Sequence, residues 1–274
     1  MTISPSKPPI GPATRLCMSL AARPGTFGSR FHNHLYAALG LDYVYKAFTT
    51  TDLPAAIAGI RALGIRGCAI SMPFKEDVIP LLDALRDSAA AIESVNTIVN
   101  DDGQLSGYNT DYSAVRALIA PLPRAAFLLR GSGGMAKAVA TALVDAGFGP
   151  GTIVARNAAK GRALADRLGC AWVPEVAGRH APIIVNVTPL GMAGADYDTL
   201  AFTAEQIDAA AVVIDVVAKP VDTPLLRAAR AAGKRVVTGA EIATLQALEQ
   251  FVLYTGVTPS AAQVAAAEQA ALVP

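Results

Sequence analysis

The 274-residue sequence predicts an α/β protein of two domains, on three observations. Short apolar runs alternate with helix-period segments from Arg15 onward. Two prolines, Pro121 and Pro123, punctuate the middle of the chain. A glycine-rich turn at Gly131 follows an apolar run and opens an alanine-rich helix. Alternation of this kind marks sheets with covered faces, and proline punctuation with a change in composition marks a domain boundary. The expected division is 1–116, 117–239, and two C-terminal helices over 240–274 that pack back on the first domain, because a helical tail needs an apolar surface to cover.

Each element has its own signal. A strand is expected over Leu16 to Leu20, a helix over Arg30 to Leu39 stopped by Gly40, and a strand over Tyr43 to Phe48. A helix from Pro54 to Leu63 has proline in its first turn, where the missing N–H costs nothing. After a strand over Gly67 to Ile70, Lys75 is expected to open a helix that buries Val78, Leu81, Leu82 and Leu85. Asn96 to Val99 and Leu105 to Tyr108 flank Asp102-Gly103, a strong hairpin-turn pair, and a helix follows over Tyr112 to Ala120. In the second half, strands over Ala126 to Arg130, Thr152 to Ala155, Ile183 to Val187, Val212 to Val216 and Arg235 to Thr238 alternate with helices near Ala136 to Ala146, Ala158 to Leu168 and Pro224 to Ala232. That is a doubly wound pattern. Helices over Glu241 to Tyr254 and Ser260 to Ala271 close the chain.

Composition narrows the function. With 23 basic and 22 acidic residues and a formal charge of +1, no footprint for nucleic acid or an anionic membrane is visible, so small-molecule partners are favoured. Three cysteines, Cys17, Cys68 and Cys170, are too far apart for a zinc site and odd in number for a disulfide framework, which fits a reducing cytoplasm and a metal-independent site. His32 and His34 have no metal-pair spacing and read as a helix-face and a solvent-side residue. Cys170 and Trp172 read as core. The proline-rich first dozen residues are expected to form a mobile tail and carry no signal-peptide run.

The turn Gly131-Ser132-Gly133-Gly134-Met135-Ala136 has the GxGxxA form of a dinucleotide-binding loop, in the strand-to-helix context that form requires. Gly131 permits the tight turn, Gly133 lets a pyrophosphate approach the backbone, and Ala136 allows close helix packing, while N–H groups at the helix start face the anion. A plain tight turn is the alternative. At the end of the next strand an NAD site usually has an acid for the ribose hydroxyls; here stand Ala155-Arg156-Asn157. A guanidinium suits a 2′-phosphate instead, and Lys160 lies one helical turn on, so NADP is the expected cofactor and 117–239 a Rossmann-type domain.

Upstream, Lys75 and Asp111 supply what a cofactor loop cannot: a proton-carrying amine and a carboxylate. Hydride transfer to or from a nicotinamide requires the substrate oxygen to gain or lose a proton, which an ammonium does in either direction. A solvated lysine and a helix N-cap are the bland alternatives. Taken with Ser71-Met72-Pro73-Phe74-Lys75-Glu76, Ser94-Val95-Asn96-Thr97, Tyr108-Asn109-Thr110-Asp111, the Gly131 loop, Asn186-Val187-Thr188-Pro189 and Gln246, the chain resembles the shikimate/quinate dehydrogenases over nearly its whole length, and most of all their divergent shikimate dehydrogenase-like branch. The resemblance implies that Lys75 and Asp111 are the catalytic pair and that Ser71, Asn96 and Gln246 contact the hydroxyls of a cyclohexene polyol. It also implies that Thr188 lines the nicotinamide side, with Val216 and Gly239 touching the cofactor. Family members reversibly reduce 3-dehydroshikimate to shikimate with NADPH. A monomer or homodimer is expected.

Three positions depart from the family pattern. Two serines that hold the substrate carboxylate correspond to a turn that reads Thr26-Phe27-Gly28-Ser29, so Thr26 keeps one hydroxyl and Gly28 supplies none; Arg23 and Arg30 flank the gap. Ala218 stands where a substrate-contacting tyrosine is usual, and Glu241 where a glycine lies near the nicotinamide. A carboxylate at 241 is expected either to point away or to restrict docking of the cofactor. The alternatives are the same chemistry on quinate or another cyclic polyol acid, and an NADP(H)-sensing module whose catalysis has decayed.

Overall fold

In a computed structural model of the chain, residues 7–272 are described, apart from the side chains of residues 87 and 88. Half of the expected tail, residues 1–6, therefore lies outside the described residues. The contacts divide the chain into two units, one running up to Thr110 and resuming at Thr244, the other from Asp111 to Ala243.

The first unit contains β1 (Arg15–Leu20), α1 (Phe27–Ala38), β2 (Tyr43–Phe48), α2 (Leu53–Ala62), β3 (Gly67–Ile70), β4 (Ala84–Leu85), α3 (Asp87–Ile92), β5 (Thr97–Asp101) and β6 (Gln104–Tyr108). Its sheet has the order β2-β1-β3-β5-β6-β4. β1 runs parallel to β2 and β3, while β5 is antiparallel to β3 and β6. The β5–β6 hairpin closes on Asp102-Gly103, with φ of 51° and 91° at those two residues. Two successive positive φ values are what a primed hairpin turn requires, so the Asp-Gly pair carries the register.

Helix α4 (Thr110–Ile119) leads into the second unit: β7 (Phe127–Arg130), α5 (Gly134–Asp145), β8 (Gly151–Val154), α6 (Ala158–Leu168), β9 (Ala171–Val173), β10 (Ile183–Asn186), α7 (Ala204–Ala209), β11 (Val212–Asp215), α8 (Pro224–Ala231) and β12 (Arg235–Thr238). Its sheet is parallel throughout, in the order β12-β11-β10-β7-β8-β9. Read from the other edge, this is the 3-2-1-4-5-6 order of a Rossmann fold, with the switch point between β7 and β10, beyond whose C-terminal ends such sheets keep their ligands. Helix α9 (Gly239–Thr255) returns the chain to the first unit, and α10 (Ala261–Leu272) lies against α1. Alanines along α10 leave little between the two backbones, with Ala267 and Ala271 buried in the cluster that holds Phe31, Leu35 and Phe251.

Several expectations need correction. Lys75 does not open an α-helix: residues 72–78 form consecutive turns, followed by one 3-10 turn, Ile79–Leu81. Pro80 has no N–H to continue the ladder and its ring would crowd the Glu76 carbonyl. The bonds beyond it therefore tighten, Leu81 N donating to Val78 O at 3.0 Å and Leu82 N to Ile79 O at 3.2 Å. Val78 is buried, but Leu81, Leu82 and Leu85 are only partly covered, and Leu85 belongs to β4. Helix α1 starts at Phe27, three residues earlier than the spacing suggested. His32 lies on a face of α1, as expected, and that face is inward: it is fully buried, its ring stacked on Tyr45 with centroids 4.5 Å apart. Trp172 and Cys170 are half-buried on and beside the edge strand β9 rather than in the core. Among the described residues no helix is long and apolar enough to cross a membrane.

Candidate functional site

In the first unit, the polar residues singled out above meet around the end of β3. Ile70 N donates to Asn96 O at 2.7 Å and Ser71 N to Leu20 O at 2.9 Å, so Ser71 stands at the C-terminal edge of β3 beside Asn96. The Lys75 carbonyl accepts from Val95 N at 2.8 Å. The Ser71–Lys75 turn is thereby tied to the Ser94–Thr97 segment through backbone, independently of its side chains. Lys75 is half-buried in this turn.

Asn96 is 2% exposed and organises the cluster. Its Oδ1 accepts from Thr110 N and Thr97 Oγ1, both at 2.8 Å, and its Nδ2 donates to Thr110 Oγ1 at 3.0 Å and to Gln246 Oε1 at 3.4 Å. Gln250, one turn along α9, donates through Nε2 to Thr97 Oγ1 at 2.9 Å and to Gln246 Oε1 at 3.3 Å. With its oxygen held by two donors, the half-buried Gln246 has a fixed orientation for its amide nitrogen. Gln250 was not singled out from the sequence. Its helical spacing from Gln246 was a usable signal, since residues four apart share a face.

Thr26 precedes α1, is exposed and makes no side-chain cap to the helix. Gly28 lies in the first turn, where an added Cβ would sit 3.4 Å from the Tyr45 hydroxyl, an ordinary contact. Neither packing nor backbone requires glycine there. Asn109 Nδ2 donates to Ser94 O at 2.8 Å and Asp111, in the first turn of α4, is 6% exposed.

The second unit separates the glycines of the loop by their physical roles. Gly131 has φ of +135°, and a Cβ would come within 2.9 Å of the Val187 carbonyl oxygen, so both backbone and neighbours demand glycine. Gly133 has an ordinary φ of −85°, and a Cβ would meet nothing within 4 Å. The protein itself has no use for glycine at 133, and the position fits a dinucleotide whose pyrophosphate must reach the backbone. Gly134 and Met135 begin α5, whose N-terminus carries no side-chain cap, and Ala136 is fully buried against the sheet. Ser132 is half-buried in the same loop.

Arg156 and Lys160 are exposed beyond β8; Asn157 caps α6, its Oδ1 accepting from Lys160 N at 3.0 Å. Across the switch point, Thr188 is fastened by its N–H and Oγ1 to Asn186 Oδ1, at 3.1 and 2.6 Å. Asn186 Nδ2 donates to Asp215 Oδ1 at 3.0 Å, and Asp215 Oδ2 accepts from Thr223 Oγ1 at 2.6 Å. Burial pushes the Asp215 carboxyl above its ordinary value, and the bonds from Thr223, Val217 and Asn186 oppose that rise. This network, unread in the sequence, sets the path of the chain through Thr188 and through the half-buried Val216. Gly239 is required by packing: a Cβ there would fall 2.4 Å from the Val217 carbonyl oxygen.

Glu241 has a local duty. Its Oε2 accepts from Thr238 N and Oγ1, both at 2.8 Å, and Thr238 Oγ1 accepts from Glu241 N at 3.2 Å. These reciprocal bonds are a capping box at the start of α9. The Thr-x-x-Glu spacing was legible in the sequence, and it explains a carboxylate at this position without reference to a ligand. Ala218 is exposed.

The chain is similar to known proteins in sequence and in fold. A family model described as the shikimate dehydrogenase substrate binding domain matches residues 26–98. A shikimate dehydrogenase-like protein of Haemophilus influenzae is 52% identical over 255 residues, 92% of this chain and 94% of its own. A solved shikimate 5-dehydrogenase-like protein superposes with a TM-score of 0.90 at 51% identity, over 96% of this chain and 100% of its own. The shikimate 5-dehydrogenase of Thermus thermophilus, solved with NADP(H) and shikimate, gives a TM-score of 0.83 at 30% identity, over 94% of this chain and 100% of its own.

Proposed function

Because the chain belongs to the shikimate dehydrogenase family, we propose that it is an NADP-dependent oxidoreductase acting reversibly on shikimate or a close cyclic polyol acid. The observation that carries this reading is Gly133, a glycine that neither φ nor packing demands, at the turn where a dinucleotide pyrophosphate would need bare backbone. In this reading the unit from Asp111 to Ala243 binds NADP and the other unit binds the substrate.

The residues divide the work. Backbone N–H groups from Ser132 to Ala136 hold the pyrophosphate at the uncapped start of α5. Arg156 and Lys160 bring positive charge to the 2′-phosphate. Thr188, with its hydroxyl committed to Asn186, contributes its methyl group and backbone to the nicotinamide side, with Val216 and Gly239 alongside. When bound, the nicotinamide supplies or accepts the hydride. Lys75 gives a proton to the substrate oxygen during reduction and takes it back during oxidation, and Asp111 favours the charged lysine. Ser71, Asn96 and Gln246 recognise ring hydroxyls, with the Asn96 cluster orienting Gln246.

Lys75→Ala is the direct test. Loss of a general acid lowers turnover by about 10²–10⁴-fold, while NADPH affinity should be unchanged; an undiminished rate would sink the assignment. One observation favours a second substrate. Gly28 offers no hydroxyl for a carboxylate although a serine Cβ has room there, so shikimate and quinate should be compared with each nicotinamide cofactor. Faster turnover of quinate would move the substrate and leave the chemistry in place.

A further inference from the structure

We propose that Arg130 is a second guanidinium for the 2′-phosphate of the dinucleotide and, with Arg156, sets the preference for NADP over NAD. The inference rests on the reading that this unit binds NADP. Arg130 is the last residue of β7, and its register partner on β8 is Val154. Leu128 and Val154 lie in one core cluster, hence on one face of the sheet. Arg130, two residues on from Leu128, keeps that face at the C-terminal end of β7, next to the Gly131 turn, and Arg156 follows the C-terminal end of the neighbouring β8 by two residues.

The charges around them point to an anion. Among the described residues, neither guanidinium has a carboxylate partner. Arg130 donates through Nη1 to the Ala201 carbonyl, which takes up only part of its five-donor fork. Partial burial, and then the charge of Arg156, hold Arg130 below the ordinary arginine value, so the two cations feel each other. Two like charges kept together, with Arg130 partly buried, are unfavourable until an anion arrives, and a phosphate with two charges relieves both. Arg130 interrupts the apolar run of β7 at the point where a strand of this kind could have stayed apolar; anchoring of Ala201 is the competing explanation.

Two variants separate the explanations. Arg130→Gln keeps a donor for the Ala201 carbonyl and removes the charge; Arg130→Lys keeps the charge. Dissociation constants for NADPH and NADH are measured by calorimetry on the full chain. Arg130→Gln should weaken NADPH by about tenfold, the scale of one charge-assisted hydrogen bond, with NADH unchanged, and Arg130→Lys should keep most of the preference. Equal weakening of both cofactors by Arg130→Gln, an unaltered NADPH-to-NADH ratio, or loss of the ratio in Arg130→Lys as complete as in Arg130→Gln overturns the proposal. A wild-type protein with no preference for NADPH would instead refute the cofactor reading beneath it.

Discussion

Gly131 and Gly133 stand two residues apart and carry opposite constraints. Gly131→Ala forces a positive φ on a side chain and a clash with Val187, strain of about 1–3 kcal/mol, and should lower unfolding free energy with or without cofactor. Gly133→Ala meets no protein atom. It should leave stability in denaturant titrations near that of the parent and weaken NADPH binding; loss of stability with intact binding would reverse the assignment. His32 gives a residue-scale prediction of a different kind. Burial lowers its imidazole to about 3, the Gln250 side chain acting in the opposite sense, and among the described residues neither ring nitrogen has a hydrogen-bond partner of good geometry. A folded value below the unfolded one means that the stability linked to neutrality is complete above the unfolded value and is lost as pH falls towards about 3. In that window the slope from this group is about 1.4 kcal/mol per pH unit. His32→Phe, measured by urea titration between pH 6.5 and pH 4, should flatten it; an unchanged slope would show that other groups dominate.

Helix α9 owes its start to two side chains. Glu241→Ala removes one half of the capping box and should cost about 0.5–2 kcal/mol, seen as a lower midpoint in thermal unfolding. Glu241→Gly should cost at least as much, because glycine is also a poor helix former. A rise in turnover with Glu241→Gly would show that the carboxylate does obstruct the cofactor. The box is present in the sequence as Thr238-x-x-Glu241, a spacing that specifies a helix start whatever residue relatives carry at this position. Where local chemistry decides, the sequence was readable: Asp102-Gly103 specifies its turn, Gly40 and Gly169 stop helices at positive φ, and β2, β3, α6 and β12 have the bounds expected from their residues. Reading failed where distant partners decide. His32 is buried because Tyr45 and Phe251 come to it from β2 and α9, and the turns after Met72 follow Pro80 rather than the apolar spacing of Val78 and Leu82. Of the candidate site, the residue types and their order were legible; the Asn186–Asp215–Thr223 network was not, since hydrogen bonds among strand ends depend on strand order.

At the scale of the molecule, each unit has its own apolar interior. Cys68, Ile98 and Leu105 anchor one cluster of the first unit, and Phe31, Tyr36 and Phe251 another; Leu128, Ile184 and Phe202 lie in the interior of the second. Tyr254 is held against Gly67 so closely that a Cβ there would fall 2.2 Å from its ring, so α9 is built into the first sheet. Binding of NADPH to the second unit should therefore raise its unfolding free energy by about 2.7 kcal/mol at one hundred times the dissociation constant. Amide exchange in β7 and β10 reads this directly; amides that exchange at the same rate with and without NADPH would contradict the proposed site.

The placing of β7 between β8 and β10 also governs how the chain is made. As synthesis proceeds, β7 can pair with β8 early, but its other edge waits for β10, which is translated only after α6, β9 and the segment that follows them. Pairings closed across so long an excursion are slow to form. Until then Leu128 and Leu129 sit on an unpaired strand edge, the kind of surface that recruits other nascent chains. The strand that precedes the Gly131 turn thus keeps an inner edge unpaired until late in translation, and chaperone demand should follow the arrival of Ile183 to Asn186.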